Sequence, residues 1–192
     1  MENNFSFIFL GLTHGFIDDF DKQYKLIKEI NPEIVLSEEM ENIELKNILD
    51  YESFLKNKKH SLMTSFKDVE NLVNLCKKNK IKLIGFDLKN FGFSEKITNK
   101  INNNLPLSKL EEKEIENIVL KREFYQIKKI KEFQNKSKKS ILVFLGSWHL
   151  RKESPLLKEI SNSKIIFPVD KKGNLIFEPK EGEIKFIEKI YE

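Results

Sequence analysis

The sequence predicts one α/β domain over residues 1–192, with helices flanking a mainly parallel central sheet and an antiparallel hairpin at its C-terminal edge. Three observations support this prediction. Four short apolar runs alternate with stretches of helical periodicity, which is typical of parallel strands joined by helices. The first and the last of these runs both end in Gly-x-x-His. Near the C-terminus, two further apolar runs flank a turn sequence, which predicts the hairpin.

The composition is typical of a protein with one hydrophobic core, without disulfides and without a membrane-spanning segment. With 192 residues, 40% of them hydrophobic and 16 of them Phe, the chain can bury one substantial core. The 34 basic and 30 acidic residues are interleaved, so the net charge of +4 does not indicate a nucleic-acid partner. The single Cys76 excludes an internal disulfide and fits a reducing compartment. No run reaches the roughly 20 apolar residues that span a bilayer, and the start lacks a basic signal region, so we expect a cytoplasmic protein with no membrane partner.

The four apolar runs are expected to be strands because Phe, Ile, Leu and Val dominate them, and they occupy residues 5–10, 33–37, 81–86 and 141–145. The first helix should begin near Asp18 and Asp19, whose charges suit a helix N-terminus, and end at Asn31-Pro32. Its buried stripe should consist of Phe20, Tyr24 and Ile27. Residues 40–65 are irregular and predict short helical pieces. Their expected buried positions are Leu45, Ile48, Leu49, Phe54 and Leu55.

Two capping boxes predict where later helices begin. Ser65 with Asp68 opens one helix, and Ser108 with Glu111 opens a longer one over residues 109–133. In each pair the hydroxyl can accept from a backbone N–H while the carboxylate accepts from the residue before the helix.

The C-terminal quarter predicts a helix, a hairpin and a second helix. Residues 151–160 have helical character. The turn sequence at 170–174 separates the apolar runs 165–169 and 175–177, which should pair as the antiparallel hairpin. Residues 184–191 predict a final helix.

Four predicted strands end at residues that could carry chemistry, namely His14, Glu38, Asp87 and His149. Because ligands collect at the carboxyl ends of parallel strands, we expect these side chains to converge there. Two imidazoles with carboxylates can bind a divalent metal or activate water as a general base. A single histidine at a strand end is more often a structural hydrogen-bonding residue, but the duplicated setting favours a site. His60, in a Lys-rich loop, is expected to be solvated.

The acidic candidates and one arginine have structural alternatives. Successive side chains of an extended strand point to opposite faces, so Glu38 and Glu39 are not expected to face one crevice together, and either could be a helix N-terminal charge. Asp87 could cap a turn. Arg122 lies in the middle of an apolar helix face, so it needs a buried partner. That partner could be catalytic, or simply a structural carboxylate such as Asp87.

These motifs resemble the TraB/Tiki family, within the group that includes erythromycin esterases and the haem-binding ChaN proteins. The resemblance consists of Gly-x-x-His at 11–14 and again at 146–149, and of a Pro-acidic-apolar strand at 32–38 that ends in glutamate. Two further motifs follow in the same order as in that family. They are a central strand that ends in Asp, at 83–87, and an Arg-acidic step on a long helix, at 122–125.

The resemblance implies a metal-dependent hydrolase that acts on a peptide or ester bond, with a peptide or small-molecule substrate. His14, His149 and Glu38 would hold Mn, Fe, Co or Zn. Glu38, Asp87 and Arg122 would serve the reaction of metal-activated water, with Arg122 stabilising negative charge on oxygen or orienting the glutamate.

Two other functions stay open on the sequence. The first is a haem- or metal-binding protein without turnover, whose pocket Trp148, Phe16 and Phe91 could wall. The second is a non-catalytic regulator. Three results would distinguish these functions. Haem binding would produce a Soret band on reconstitution, hydrolysis would appear as metal-stimulated cleavage, and a regulator would show neither.

Overall fold

The computed structural model describes residues 5–14, 17–176 and 185–191, and its centre is one seven-stranded sheet. The strand order across the sheet is β3-β4-β2-β5-β1-β6-β7. The strands are β1 (Phe7–Leu12), β2 (Ile34–Ser37), β3 (Glu44–Leu45), β4 (Lys82–Gly85), β5 (Ile141–Gly146), β6 (Ser163–Val169) and β7 (Lys185–Tyr191). The five inner strands run parallel, and each edge strand pairs antiparallel to its neighbour. The predicted fold class, an α/β fold with a mainly parallel sheet and an antiparallel C-terminal edge, is therefore confirmed.

Helices cover both faces of the sheet. They are α1 (Ile17–Ile30), α2 (Ile48–Asn57), α3 (Phe66–Asn79), α4 (Glu95–Asn102), α5 (Lys109–Phe133) and α6 (Pro155–Glu159). Both predicted capping boxes are present, with the hydroxyls of Ser65 and Ser108 accepting from the backbone N–H of Asp68 and Glu111. The long helix α5 has the predicted bounds. No helix in the described part of the chain is long and apolar enough to cross a membrane.

Two apolar layers hold the sheet between the helices. Along β1 the side chains alternate: Ile8 and Leu10 join the core beneath α1, α2 and α3, while Phe7 and Phe9 join the core beneath α5 and α6. Every residue of β1 and β5 is buried, as expected of central parallel strands. The carboxyl ends of these strands are thus fixed rigidly beside each other.

The C-terminal edge differs from the prediction in its second strand. The partner of β6 is β7, from Ser163 opposite Tyr191 to Val169 opposite Lys185. The predicted partner, 175–177, contributes only a single bridge between Leu175 and Val169, and Phe177 lies outside the described residues. The prediction of a final helix at 184–191 is wrong at residues 185–191. The spacing of apolar residues there suits a helix, but the free edge of β6 offers hydrogen bonds along the full length of a strand.

Three predicted core positions are also wrong. Tyr24, Ile48 and Leu49 are exposed by 44%, 53% and 71%. In α1 the buried face instead includes Gln23, beside Leu26 and Ile27. The helix predicted at 151–160 is the short α6, which begins with proline at its first position.

Candidate active site

The two Gly-x-x-His units lie side by side because β1 pairs with β5, with Leu12 opposite Gly146. Each glycine leaves room for the other unit. A Cβ atom on Gly146 would lie 2.6 Å from His14 Nε2, and a Cβ atom on Gly11 would lie 3.2 Å from the Cβ atom of Ser147. The absence of a side chain at both glycines therefore allows the two strand ends to approach this closely.

Glu38 follows β2 directly and is the centre of the site. It begins a 3₁₀ turn, Glu38–Met40, and its side chain is buried. Its Oε2 accepts a hydrogen bond from the backbone N–H of Gly146 at 2.5 Å. Its Oε1 accepts from Arg122 Nη2 at 2.6 Å and contacts His149 Nε2 at 3.2 Å. Two segments far from Glu38 in sequence, α5 and residues 146–149, thus hold its carboxylate.

Arg122 is buried, and carboxylates bind it on two sides. Besides Glu38, its Nε and Nη2 donate to Asp87 Oδ2 at 3.0 and 2.6 Å. Gln126, one turn further along α5, donates to the same Asp87 oxygen at 2.8 Å. The guanidinium carbon lies 4.3 Å from the centre of the Phe91 ring. Arg122 therefore orients Glu38 and Asp87 from beneath an aromatic cover.

His149 lies between two buried carboxylates. Its Nδ1 is 3.1 Å from Glu123 Oε1, and its Nε2 is 3.2 Å from Glu38 Oε1. Since both partners are acceptors, the ring is best satisfied when both nitrogens carry a proton. Burial opposes the charged ring, but Glu38 and Glu123 outweigh burial and raise the pKa of His149 to about 9. Arg151 also donates to both oxygens of Glu123.

The charges of this buried network compensate one another. Burial alone would raise the pKa of Glu38, but His149 and Arg122 hold it well below its usual range. The carboxylates of Glu38, Asp87 and Glu123 are matched by the cations of Arg122, His149 and Arg151. Such a network is costly to assemble and costly to break one member at a time.

His14 differs from the rest of the network because its side chain is 43% exposed. Its Nδ1 is 3.3 Å from Glu39 Oε1. Burial opposes the charged ring, but the hydrogen bond with Glu39 and the charge of Glu38 raise the pKa of His14 to about 9. The backbone of His14 has a φ of 54°, an uncommon conformation for a residue with a side chain. Glu39 therefore contacts the exposed ring at one of its two nitrogens.

A cavity of about 450 Å³ opens beside His14. The described residues that line it are Leu12, His14, Asp19, Phe20, Gln23, Glu39, Met63, Thr64, Asp68, Asn71, Leu72 and Phe91. Neither Glu38 nor Arg122 nor His149 is among them. His14 consequently joins the buried network to the cavity.

The structure thus brings His14, Glu38, Asp87 and His149 to one edge of the sheet, and Arg122 of α5 bonds two of them, Glu38 and Asp87. Of the aromatic residues predicted to wall a pocket, Phe91 lines the cavity, Trp148 is 49% exposed and does not line it, and Phe16 lies outside the described residues.

One prediction about the neighbouring residues agrees with the structure and one is wrong. Glu38 and Glu39 do not face one crevice together, since Glu39 lines the cavity and Glu38 is buried against Gly146. His60 is not simply solvated, since its Nε2 lies 2.5 Å from the carbonyl oxygen of Glu39 and its ring packs edge-on against Phe54.

Sequence reasoning gave no role to Glu123, although it is the acidic residue of the Arg-acidic step at 122–125, and it missed Gln126 and Arg151. The position of Gln126, four residues after Arg122 on the same helix face, was a usable signal. Arg151 carried no such signal, because only the fold places its side chain against Glu123.

The side chains do not fit a metal ion as they lie. In the described part of the chain, no group of three or more His, Cys, Asp or Glu side chains is arranged to hold one. Both nitrogens of His149 face carboxylates, and both oxygens of Glu38 already accept hydrogen bonds. The metal set of His14, His149 and Glu38 therefore stays a prediction.

Comparison with known proteins gives one structural likeness. No family model matches the chain, and no curated protein matches it. A solved structure titled "Cofacial heme binding to ChaN of Campylobacter jejuni" is similar in fold, with 17% sequence identity and a TM-score of 0.48. The likeness covers 85% of this chain and 81% of that chain. The resemblance to TraB/Tiki proteins stays a prediction.

Proposed function

We propose that this protein is a hydrolase that adds water across a peptide or ester bond in the cavity beside His14. The observation that carries the proposal is the pairing of His14 with Glu39, 3.3 Å apart, on the wall of the cavity. An imidazole and a carboxylate within hydrogen-bond distance form an acid–base pair that can exchange protons with a substrate.

The pair divides the two proton transfers of hydrolysis between its members. With a pKa of about 9, His14 is protonated at neutral pH and can donate its proton to the leaving oxygen or nitrogen. Glu39 can accept the proton that the attacking water releases. After the bond is broken, transfer of that proton from Glu39 to His14 restores both groups.

The buried network acts by positioning and not by contact with substrate. Glu38 lies on the side of Gly146 that His14 Nε2 faces, so its negative charge favours the protonated ring. Arg122 and His149 hold Glu38 in turn. We therefore assign Glu38, Asp87, Arg122 and His149 to the support of His14, with no reaction step routed through a metal.

The test is hydrolysis of a panel of activated esters and short peptides by the parent, His14→Gln and Glu39→Gln. We expect each variant to lose about 10²–10⁴-fold in rate, which is the usual contribution of a general acid or base. Glu29→Gln is the matched control, because Glu29 is exposed on α1 away from the cavity. Equal rates for the parent and His14→Gln, or no cleavage of any substrate by the parent, would overturn the proposal.

The same panel separates this proposal from the metal-dependent one. Each assay is repeated after chelation and after addition of Mn²⁺ or Zn²⁺. Activity that survives chelation supports the acid–base pair, whereas activity restored only by metal would support the ligand set His14, His149 and Glu38.

Binding without turnover is a second candidate, favoured by the exposure of His14 on a cavity that Phe20, Met63 and Phe91 also line. An exposed imidazole can ligate haem iron. Titration with haem tests this function, since a Soret band that His14→Gln abolishes, together with no hydrolysis, would favour it.

A further inference from the structure

The cavity beside His14 has an acidic wall. Asp19, Glu39 and Asp68 line it, and no lysine or arginine is among its described lining residues. This is unusual for a chain that carries 34 lysines and arginines. The three carboxylates outnumber the single imidazole, so the wall favours a positively charged ligand over a neutral or anionic one.

Asp19 supplies an independent observation. Its side chain is only 6% exposed, and its two oxygens have different surroundings. Oδ2 accepts from the backbone N–H of Thr13 at 2.9 Å and from the Thr13 hydroxyl at 3.2 Å. Oδ1 is buried and has no hydrogen-bond partner in the described part of the chain. Asp19 thus has one oxygen fixed by the fold and a second that lacks a donor.

An unpaired buried carboxylate oxygen is costly, so its persistence requires an explanation. Burial raises the pKa of Asp19, partly offset by the hydrogen bonds from Thr13. A donor with a positive charge, arriving in the cavity, would supply the missing hydrogen bond and favour the ionised carboxylate. The two hydrogen bonds from Thr13 account for Oδ2 and leave Oδ1 unexplained.

The remaining wall is mixed. Gln23, Thr64 and Asn71 contribute polar groups to it, while its apolar part consists of Leu12, Phe20, Met63, Leu72 and Phe91. A ligand can therefore place an apolar group against this part of the wall, beside its charged group.

We propose that the cavity binds the ammonium group of an amino-acid ester or a peptide N-terminus, with Asp19 as its acceptor and an apolar first side chain against Phe20 and Leu72. This inference rests on the proposed function, because it names the class of substrate delivered to His14 and Glu39. It is tested first by binding, so that its outcome does not depend on hydrolysis.

The binding experiment compares leucinol, which has a free amine and no bond to hydrolyse, with N-acetyl-leucinol. Binding to the full chain is followed by calorimetry or by NMR titration. We expect leucinol to bind the parent at least tenfold more tightly than its acetylated counterpart. Equal affinities, or no binding of leucinol, would overturn the inference.

Asp19→Asn tests the role of the unpaired oxygen. The amide oxygen can still accept from Thr13, while the amide nitrogen replaces Oδ1 with a donor that repels an ammonium group. We expect this variant to lose the preference for leucinol while unfolding at nearly the same temperature as the parent. Asp21→Asn is the matched control, since Asp21 is exposed on the same helix, and it should keep the preference. A preference that survives in Asp19→Asn would contradict the assignment of Asp19.

The two proposals fail in different ways. If leucinol is preferred but neither esters nor peptides are cleaved, the amine site stands and the hydrolase proposal fails. If cleavage occurs equally well on leucine esters with free and acetylated amines and leucinol is not preferred, the hydrolase proposal stands and the amine site fails.

Discussion

The two Gly-x-x-His units share a sequence pattern and a position at the end of neighbouring strands, yet their histidines lie in different environments. The side chain of His149 is 5% exposed, with a carboxylate at each nitrogen. His14 is 43% exposed, with one carboxylate on its Nδ1 and a cavity beside it. The repeated motif therefore contains one enclosed histidine, His149, and one histidine, His14, whose ring is accessible to a ligand.

The difference originates in what packs over each unit. The residues after β5 form a 3₁₀ turn, Ser147–Leu150, which packs against α6 and places His149 beside Glu123 of α5. The residues after β1 lead into α1, and the space between α1 and α3 remains open as the cavity. The motif thus fixes where a histidine lies, while the elements packed over it decide whether its ring is enclosed or exposed.

The largest expected effect concerns the buried side of the comparison. Arg122→Ala would leave Glu38 and Asp87 buried without their shared cation. We expect it to lower the free energy of unfolding by about 3–5 kcal/mol, the usual cost of breaking a buried ion pair. Lys121→Ala, at an exposed position on the same helix, should change it by less than about 0.5 kcal/mol. Urea unfolding of both variants measures the difference, and similar values would mean that the network does not stabilise the fold.

The two histidines should differ in their contribution to stability. His149→Ala removes a buried partner of both Glu38 and Glu123, so we expect a loss of about 3 kcal/mol. His14→Ala should cost less than about 1 kcal/mol, because an exposed ion pair contributes little. Equal losses in urea unfolding would mean that His14 and His149 stabilise the fold to the same extent.

The pH dependence of stability should reveal the charge of His149. The pKa of His149 is raised in the folded state, so its protonation stabilises the fold. This stabilisation is fully present below the pKa of the unfolded state, about 6.5, and is lost as the pH rises to about 9. We expect a loss on the order of 2–3 kcal/mol across this window. Unfolding measured at pH 6, 7.5 and 9 should show this decline in the parent.

A variant isolates the responsible histidine, since His14 titrates in the same range. His149→Gln should flatten most of the decline between pH 6 and 9. His14→Gln should leave most of it, because the 43% exposed ring of His14 pairs with Glu39 within reach of solvent, which screens the pair. The opposite assignment would show that the exposed histidine carries the linkage.

Substitution of the two glycines should affect stability less than the loss of Arg122 or His149. Gly146→Ala would bring a Cβ atom within 2.6 Å of His14 Nε2, so the exposed ring must move, at a cost of about 1–2 kcal/mol. Gly11→Ala meets Leu150 and Ser147 at 3.0–3.2 Å and should cost a similar amount without moving His14. The chemical shifts of the His14 ring distinguish them, because we expect a change in Gly146→Ala alone. A large change in both would mean that the two strand ends move as one unit.

Much of the framework was predictable because its signals are local. Apolar runs predicted the inner strands, and two Ser-x-x-acidic sequences predicted where α3 and α5 begin, since a helix cap needs only residues within one turn. The position of Arg122 on an apolar face predicted a buried partner, because an isolated charge there is costly. The convergence of Glu38, Asp87 and the two histidines followed from the parallel order of their strands.

Other features required contacts that no local pattern contains. Residues 185–191 have helical spacing but form β7, because the open edge of β6 is a partner that only the assembled sheet provides. Glu39 contacts His14 because the chain leaves the extended conformation at Glu38. The alternation of side chains along a strand does not predict that turn.

By itself, the sequence determined an α/β sheet, the residues at its strand ends and the need of Arg122 for a carboxylate. The tertiary structure alone decided that His149 is enclosed, that His14 meets a cavity and that one oxygen of Asp19 lacks a donor. The physical reason is that strand and cap formation depend on neighbours within a few residues. The burial and the partners of a charged side chain depend instead on which distant segments are packed around it.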